Sequence, residues 1–481
     1  MVIKAGWDLV VGLEVHAELA TNTKLFCGCA NAFGSEPNTN VCPVCLGLPG
    51  SLPVLNEQAV ELAMRVGVAL HCDIRPSIFS RKNYFYPDMP KDYQVTQYDL
   101  PLNSDGYLDL PNGTRISVVR AHMEEDTGKS THLGGTGRIQ GSEGSLVDYN
   151  RSGVPLVEIV SGPDLTSADD AKAYVSELRA MLVATGASDG KMEEGSMRVD
   201  ANVSVRRAGA DLGTRCEIKN LNSLRSLLRA IDYEANRQID LLESGERIAQ
   251  ETRHWSEADG RTSSMRSKEE AMDYRYFPEP DLVPLVPSSE WIEAVTKGLA
   301  PMPGDRRRAL SSATGWSAAN TDVGFAPNAE VVVTVVEQDL DALVMAAIDA
   351  GVDARRAVNR AANELAGQEG KINAATFAAV LRLEDKGKLT ATQAKSVMAE
   401  LVANGGDPLT IIAAKGFEAL DTSALEGLVD ELIAAHPAEF ERLRTGDPKV
   451  SGFFVGAAMK RSGGKADGGA VTALLRVRAG R

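Results

Sequence analysis

The stretch Ser196–Arg206, with the sequence SMRVDANVSVR, alternates strictly between apolar and polar residues. Because successive side chains of a β-strand point to opposite faces of its sheet, this period of two predicts a strand with one apolar and one polar face. Arginine, aspartate and asparagine on the polar face suit recognition of phosphate and carboxylate groups. Such a face can also be the water-facing side of an antiparallel sheet. The polar positions are Arg198, Asp200, Asn202, Ser204 and Arg206.

A second stretch near the N-terminus, Asp8–Leu19 (DLVVGLEVHAEL), follows the same alternation. Glu14, His16 and Glu18 share its polar face, about 6–7 Å apart at successive positions. Two carboxylates and an imidazole arranged in this way can bind a divalent cation. The alternative is a strand face that is exposed to solvent.

The stretch Val147–Ile159 (VDYNRSGVPLVEI) places Asp148, Asn150 and Arg151 before a turn and a short apolar strand. Glu158 lies within that strand, where its neighbours indicate burial. A buried carboxylate is costly unless it is paired or bound to a metal. We therefore predict that Glu158 has a partner in a polar site that uses a metal.

The stretch Ile116–Ser130 begins as a strand and ends in an acidic cluster. If the alternation persists, His122 and Glu124 face opposite to Glu125, so only one of the two glutamates needs to enter a site. A Gly-Lys-Ser sequence follows, but it is not a Walker A loop, because Met123 stands where that motif requires glycine.

Four of the six cysteines are grouped in two short pairs separated by twelve residues. In a chain without secretory features, this spacing favours a closed, structural zinc site over disulfides. Chance clustering and redox-active thiols are the alternatives. Cys72 and Cys216 fit ordinary buried thiols. The grouped residues are Cys27, Cys29, Cys42 and Cys45.

The pattern of the chain changes near residue 290. Residues 1–290 contain short β-like runs with many turns, and Ala/Leu/Glu-rich segments with helical spacing follow. We predict an α+β fold with a large mixed N-terminal catalytic domain (1–290), a helical domain (291–406) and a small helical tail domain (407–481). No apolar run is long enough to span a bilayer, and the N-terminus lacks signal-peptide features, so we expect no membrane association and a cytoplasmic protein.

The charge of the chain is uneven. The net charge is −15, which argues against a general nucleic-acid coat protein, yet residues 448–481 hold seven basic residues and one acidic residue. This basic end indicates a local contact with an anion such as nucleic acid, or else a solvated helix face.

Several motifs together resemble one family, the B subunits of the aspartyl/glutamyl-tRNA(Asn/Gln) amidotransferases. They occur in the family's order and cover essentially the whole chain, with a final match, Gly452–Lys460, in the tail. The other motifs are Val11–Glu18, Arg81–Pro87, His122–Asp126, Val147–Ile159, Lys191–Gly195, Lys219–Asn222 and Asp273–Pro280.

The resemblance implies a reaction. Members of this family bind a tRNA that carries the wrong acid, Glu on tRNA(Gln) or Asp on tRNA(Asn). They phosphorylate the side-chain carboxylate with ATP and let ammonia displace the phosphate. The ammonia comes from an amidase-type A subunit, and a small C subunit completes the heterotrimer. The absence of a Gly-x-Ser-x-Gly elbow in this sequence agrees with that division of labour. A non-catalytic, zinc-containing tRNA-binding scaffold is the alternative.

The resemblance also assigns residues. It implies a Mg²⁺ site at Glu14, His16, Glu125 and Glu158, with Glu124 as a further candidate. It makes Asp200, Lys219, Asn150 and Arg151 candidates for ATP or substrate contact. The zinc bound by Cys27, Cys29, Cys42 and Cys45 is then structural and takes no part in catalysis. The predicted tRNA contacts in the tail are Lys449, Lys460, Arg461 and Lys465.

Overall fold

The structure is a computed structural model, and it describes residues 3–134, 142–267, 274–316, 329–368, 370–417, 422–445, 450–463 and 465–480. The chain forms two compact units, Met1–Gly304 and Asp305–Arg481. The first unit contains the sheet, and the second is helical.

The described part of the first unit combines β-strands with four helices. The strands are β1 (Trp7–Glu18), β2 (Asp73–Ile74), β3 (Ser80–Asn83), β4 (Tyr93–Thr96), β5 (Asn103–Asp109), β6 (Arg115–Glu125), β7 (Lys129–Leu133), β8 (Gly144–Asp148), β9 (Pro155–Ser161), β10 (Met197–Arg207), β11 (Cys216–Leu221), β12 (Glu251–Ser256), β13 (Arg261–Ser267) and β14 (Phe277–Pro278). The helices are α1 (Glu57–Ala69), α2 (Ala168–Ala184), α3 (Leu224–Glu243) and α4 (Ser289–Lys297).

One mixed sheet dominates this unit. Its strand order is β13-β12-β11-β10-β1-β9-β6-β4-β3-β14, with β5 paired to β6 and β2 paired to β5. The pair β11–β12 is parallel, and β1 is antiparallel to both β9 and β10. The strands β7 and β8 form a separate two-stranded sheet. The longest pairing, between β1 and β10, joins the two alternating stretches that predict strands.

The apolar faces of these strands form the core of the first unit. Val11, Leu13, Val15 and Ala17 of β1 are fully buried, and they share one hydrophobic cluster with side chains of α1, α2 and α3. The three helices begin at side-chain caps, which satisfy backbone amides of the first turn. The capping residues are Asn56, Ser167 and Ser223. The sheet therefore has one face packed in the core and one face available for polar residues.

The second unit contains short helices with two hydrophobic clusters, one spanning residues 310–401 and one spanning residues 425–475. Its described helices are α5 (Pro303–Thr314), α6 (Ala329–Glu337), α7 (Asp341–Asp349), α8 (Ala354–Glu364), α9 (Ala374–Asp385), α10 (Ala391–Asn404), α11 (Pro408–Ala414), α12 (Thr422–Ala435), α13 (Pro437–Thr445), α14 (Val450–Arg461) and α15 (Gly468–Arg478).

The predicted α+β class, with helices after the sheet domain, is confirmed. The first unit continues past residue 290, because α4 packs Trp291, Ile292 and Val295 on the core of the sheet domain. The three-domain division at 290 and 406 stays a prediction. Among the described residues, no helix combines the length and the apolar character that a membrane span requires.

We expect Leu13→Ala to lower the free energy of unfolding of the first unit by about 2–5 kcal/mol, because Leu13 is fully buried at the centre of β1. Urea unfolding followed by tryptophan fluorescence measures this change. The matched control is Leu212→Ala, at a residue that is 60% exposed, with an expected change within about 0.5 kcal/mol. Equal effects of the two substitutions would contradict the assignment of the core.

Candidate functional site

The register of β1 with its neighbours brings polar residues of four strands to one face of the sheet. His16 of β1 lies opposite Glu158 of β9 and Arg198 of β10. His122 of β6 lies opposite Glu158 on the other side of β9. Directly opposed residues share a face, so these four side chains form one row across the sheet.

The side chains of His16, Glu124 and Glu158 converge on this face. Nε2 of His16 lies 3.6 Å from Oε1 of Glu124 and 3.6 Å from Oε2 of Glu158. Each residue offers one ligand atom, and these atoms lie within 4.8 Å of one another. Both glutamates are buried. Two carboxylates and an imidazole at this spacing fit one divalent cation, such as Mg²⁺ completed by water or phosphate oxygens.

Burial and neighbouring charges shift the ionisation of the cluster. Burial raises the pKa of Glu124, and the charge of Glu158 raises it further. Burial opposes protonation of His16, but the carboxylates of Glu158 and Glu124 outweigh it and raise the pKa of His16 to about 9. Burial also opposes ionisation of Glu158, but His16 outweighs it and lowers the pKa of Glu158. A cation bound here would therefore compete with protons for the same atoms.

Glu14 extends the acidic character of this face. It lies opposite Asp200 of β10 and accepts a hydrogen bond of 2.9 Å from Nδ2 of Asn202. Burial raises the pKa of Glu14, and the nearby charge of Glu158 raises it further. Its carboxylate thus lies beside the cluster rather than among the converging ligand atoms.

Glu125 points to the opposite face of β6 from Glu124, as the alternation of a strand requires. Its Oε1 accepts a hydrogen bond of 2.9 Å from the backbone amide of Val95 and pairs with the ammonium group of Lys91. Of the predicted magnesium ligands, His16 and Glu158 converge with Glu124, while Glu14 and Glu125 lie outside this group, and the magnesium site stays a prediction. Glu124, and not Glu125, reaches His16.

Asp200 and Lys219 lie on the same face as the cluster. Nζ of Lys219 lies 2.7 Å from Oδ2 of Asp200 and 2.8 Å from Oε1 of Glu217. Burial alone would lower the pKa of Lys219, but the two carboxylates outweigh it and raise the pKa. Lys219 is therefore a charged group near Glu14, and its contact with ATP or substrate stays a prediction.

Asn150 and Arg151 hold loops in place. Nδ2 of Asn150 donates a hydrogen bond of 2.7 Å to the carbonyl of Glu36, and its Oδ1 accepts one of 2.7 Å from the amide of Asn40. Arg151 donates to two consecutive carbonyl oxygens after β6, both at 2.9 Å. These bonds stabilise the loop before the second cysteine pair and the end of β6. The predicted contact of both residues with ATP or substrate stays a prediction.

The four grouped cysteines converge as well. Their sulfur atoms all lie within 4.8 Å of one another, and the Sγ atoms of Cys42 and Cys45 are 3.9 Å apart. Tetrahedral zinc with Zn–S bonds of about 2.3 Å places its sulfur ligands about 3.8 Å apart. The donor set therefore fits zinc. The four residues are Cys27, Cys29, Cys42 and Cys45.

A buried lysine accompanies this cysteine cluster. Lys24 has no exposed surface, and its Nζ lies 3.7 Å from Sγ of Cys45 and 3.2 Å from the carbonyl oxygen of Tyr149. The hydrogen bond with Cys27 and the charge of Lys24 help to lower the pKa of Cys45 to about 4. A buried ammonium group needs a negative partner, and a thiolate supplies one.

Two of the predicted tRNA contacts, Lys460 and Arg461, lie at the end of α14. Nη2 of Arg461 is 2.6 Å from Oε2 of Glu431, and Lys460 is exposed beside it on α14. Lys465 is exposed in the loop before α15. Lys449 lies outside the described residues. Contact of these residues with tRNA stays a prediction.

Two family models match the chain. The model described as the GatB/GatE catalytic domain matches residues 9–293, and the model described as the GatB domain matches residues 344–478. The chain belongs to the GatB family. The resemblance that the motifs indicated is thereby confirmed.

Curated GatB relatives match over nearly the whole chain. A protein of Frankia casuarinae is 49% identical, over 99% of this chain and 97% of its own length. Proteins of Mycobacterium sp. (strain KMS) and Anaeromyxobacter sp. (strain K) are each 48% identical over 98% of this chain, and over 96% and 99% of their own lengths. All three are named as the B subunit of an aspartyl/glutamyl-tRNA(Asn/Gln) amidotransferase.

Three residues of these sites were not singled out as site residues from the sequence. His122 is buried in the same row as Glu158, and its Nε2 lies 3.4 Å from Oε2 of that residue. Its position two residues before Glu124 in an alternating strand could have identified it from the sequence. Lys91 and Lys24 carried no such signal, because their partners lie 34 and 21 residues away in the sequence.

We expect Cys42→Ser to remove the metal from the cysteine cluster, because a structural zinc site needs all four ligands. Elemental analysis of the purified chain should find about one zinc per wild-type chain and close to none in the variant. Cys72→Ser is the matched control, since Cys72 lies outside the cluster. Equal zinc in the two variants, or none in the wild type, would contradict the zinc assignment.

Proposed function

We propose that this GatB chain is the subunit in which a mischarged aminoacyl-tRNA is amidated. Its substrates would be Glu-tRNA(Gln), Asp-tRNA(Asn) or both, as the names of the relatives indicate. The observation that carries the proposal is the convergence of His16, Glu124 and Glu158 on a polar sheet face within the part that matches the GatB/GatE catalytic domain.

The chemistry requires activation of a carboxylate. A carboxylate is a poor acyl donor, because its leaving group would be oxide. In the proposed reaction, a side-chain oxygen of the aminoacyl group attacks the γ-phosphorus of ATP, and ADP leaves. Ammonia then attacks the carbonyl carbon of the acyl phosphate, inorganic phosphate leaves, and a proton is released as the amide forms. The reaction is of the ligase type and consumes one ATP.

His16, Glu124 and Glu158 would hold Mg²⁺, which when bound supplies charge neutralisation for phosphate oxygens. Glu14 lies beside these ligands and is oriented by Asn202. The buried position of both cluster glutamates keeps water from competing for their oxygen atoms and strengthens their attraction to a cation.

The cationic groups of this face would orient the anionic substrates. Lys219 is held in position by Asp200 and Glu217, and it lies on the β11 side of the cluster. Arg198 is bound to Asp126 at 2.7 Å on the same face. Since phosphoryl transfer depends mainly on positioning and electrostatic stabilisation, these charges suit the reaction.

The remaining assignments concern partners and place. We propose that an amidase-type A subunit supplies ammonia and that a small C subunit completes the heterotrimer. The tail, with Lys460, Arg461 and Lys465, would contact tRNA phosphates. The proposed place of the reaction is the cytoplasm, where aminoacyl-tRNAs are used in translation. A scaffold without catalysis is not favoured, because the relatives are named as amidotransferase subunits.

We expect the chain, purified with its A and C partners, to release ADP from ATP, Mg²⁺ and ammonium only when mischarged Glu-tRNA(Gln) or Asp-tRNA(Asn) is present. Free ammonium replaces glutaminase activity, so the experiment isolates the activation and amidation steps. Coupled-enzyme detection of ADP and analysis of the amino acid released from the tRNA measure both products. Binding of both mischarged tRNAs without any ADP release would contradict the proposal and support a scaffold.

The same assay tests the residue assignment through Glu124→Gln. Loss of one cluster carboxylate should lower kcat by about 100-fold or more and leave tRNA affinity unchanged. Glu57→Gln, an exposed glutamate on α1, is the control and should keep the wild-type rate. Wild-type activity in Glu124→Gln would remove this glutamate from the proposed site.

A further inference from the structure

Arg120 of β6 stands out because its guanidinium group has no acceptor within the part of the chain that the structure describes. Among the described residues it makes no hydrogen bond or ion pair, and its Nε atom is buried without a partner. By contrast, Arg198 and Lys219 on the same sheet face are each bound to a carboxylate. A half-buried guanidinium with unmet donors costs free energy, so an acceptor from outside the chain would stabilise it.

The position of Arg120 is adjacent to the cluster. It precedes His122 and Glu124 at even spacing on β6, so the three share one face. It lies opposite Val160 of β9, which is two residues beyond Glu158. Its positive charge also contributes to the lowered pKa of Glu158. A ligand that contacts the cluster would therefore lie within reach of Arg120.

Tyr98 sets the orientation of this guanidinium group. Cζ of Arg120 lies 4.7 Å from the centroid of the Tyr98 ring, and that ring stacks on Tyr276 at 5.2 Å. Stacking on an aromatic face leaves the N–H groups at the edge of a guanidinium free to donate. Two of these donors in one plane match the geometry of two oxygens of one oxyanion.

We propose that Arg120 binds phosphate oxygens of ATP next to the cation site of His16, Glu124 and Glu158. This inference rests on the proposed function and adds a residue to it. A phosphate held between a metal cation and a guanidinium group has its charge neutralised from two sides, which phosphoryl transfer requires. The side-chain carboxylate of the aminoacyl-tRNA is the other oxyanion of the reaction, and the test separates the two.

The test uses Arg120→Gln and Arg120→Lys in the complete complex with its partner subunits. Titration calorimetry with Mg²⁺ measures the Kd of a non-hydrolysable ATP analogue, adenylyl imidodiphosphate, and of ADP. We expect Arg120→Gln to raise the Kd of the analogue about 10- to 100-fold. Arg120→Lys should have a smaller effect, because it keeps the charge but loses the planar fork. Arg115→Gln on the same strand, which removes an exposed ion pair with Asp109, should leave the Kd unchanged.

Steady-state kinetics assign the ligand. An increase in the KM for ATP with an unchanged KM for aminoacyl-tRNA supports the proposal. An unchanged Kd for the analogue overturns the proposal. If the KM for aminoacyl-tRNA then rises, Arg120 binds the substrate carboxylate instead. If that KM also stays the same, Arg120 only balances the charge of the cluster. Thermal unfolding shows whether each variant folds. If Arg120→Gln does not fold, the same measurements are made on Arg120→Lys alone.

The two proposals fail in different ways. If the wild-type complex binds the analogue but never releases ADP with either mischarged tRNA, the proposed function fails, and the effect of Arg120 on phosphate binding can still be read. If the wild-type complex releases ADP and Arg120→Gln binds the analogue normally, only the assignment of Arg120 fails. A wild-type complex that neither binds the analogue nor releases ADP overturns both.

Discussion

The antiparallel pairing of β1 with both β9 and β10 is the constraint on which the rest of the sheet domain depends. It sets His16 opposite Glu158 and Glu14 opposite Asp200, while it turns Leu13 and Val15 into the core. A shift of the register by one residue would bury the polar set and expose the apolar set. Core packing and site geometry therefore depend on the same pairing, and the site lies on a strand whose other face is fully buried.

This arrangement is electrostatically unfavourable without a bound cation. Glu124 and Glu158 are buried close together, and like charges in a poorly solvated site repel each other. His16 reduces this repulsion within the cluster, and Arg120 contributes from the neighbouring position on β6. A chain that retained such a cluster for stability alone would gain more from apolar residues of similar size. The geometry is better explained by the binding of a cation together with an anionic substrate.

Local patterns in the sequence predicted the parts of the structure that depend on local rules. Strict alternation predicted the polar faces of β1 and β10, and the spacing of the cysteines predicted their convergence. Alternation also separated Glu124 from Glu125, but it did not identify the face of β6 that meets His16, since that depends on the pairing of β6 with β9. The resemblance favoured Glu125, and the structure instead pairs that residue with Lys91.

Sequence patterns could not predict features that depend on contacts between loops far apart in the sequence. Asn150 is bound to the backbone of residues 36 and 40, more than a hundred residues earlier, so its role in holding a loop follows only from the fold. The end of the first unit also could not be predicted from the sequence alone. A change in composition marks residue 290, yet Trp291 and Val295 pack on the sheet domain because α4 folds back on that core.

The central claim is that one divalent cation binds among His16, Glu124 and Glu158. Anomalous diffraction from crystals of the complex grown with Mn²⁺, a substitute for Mg²⁺, locates that ion directly. The account predicts a peak at about 2.0–2.4 Å from Nε2 of His16 and from one oxygen of each glutamate. A peak beside Glu125 and Lys91, on the opposite face of β6, would contradict it.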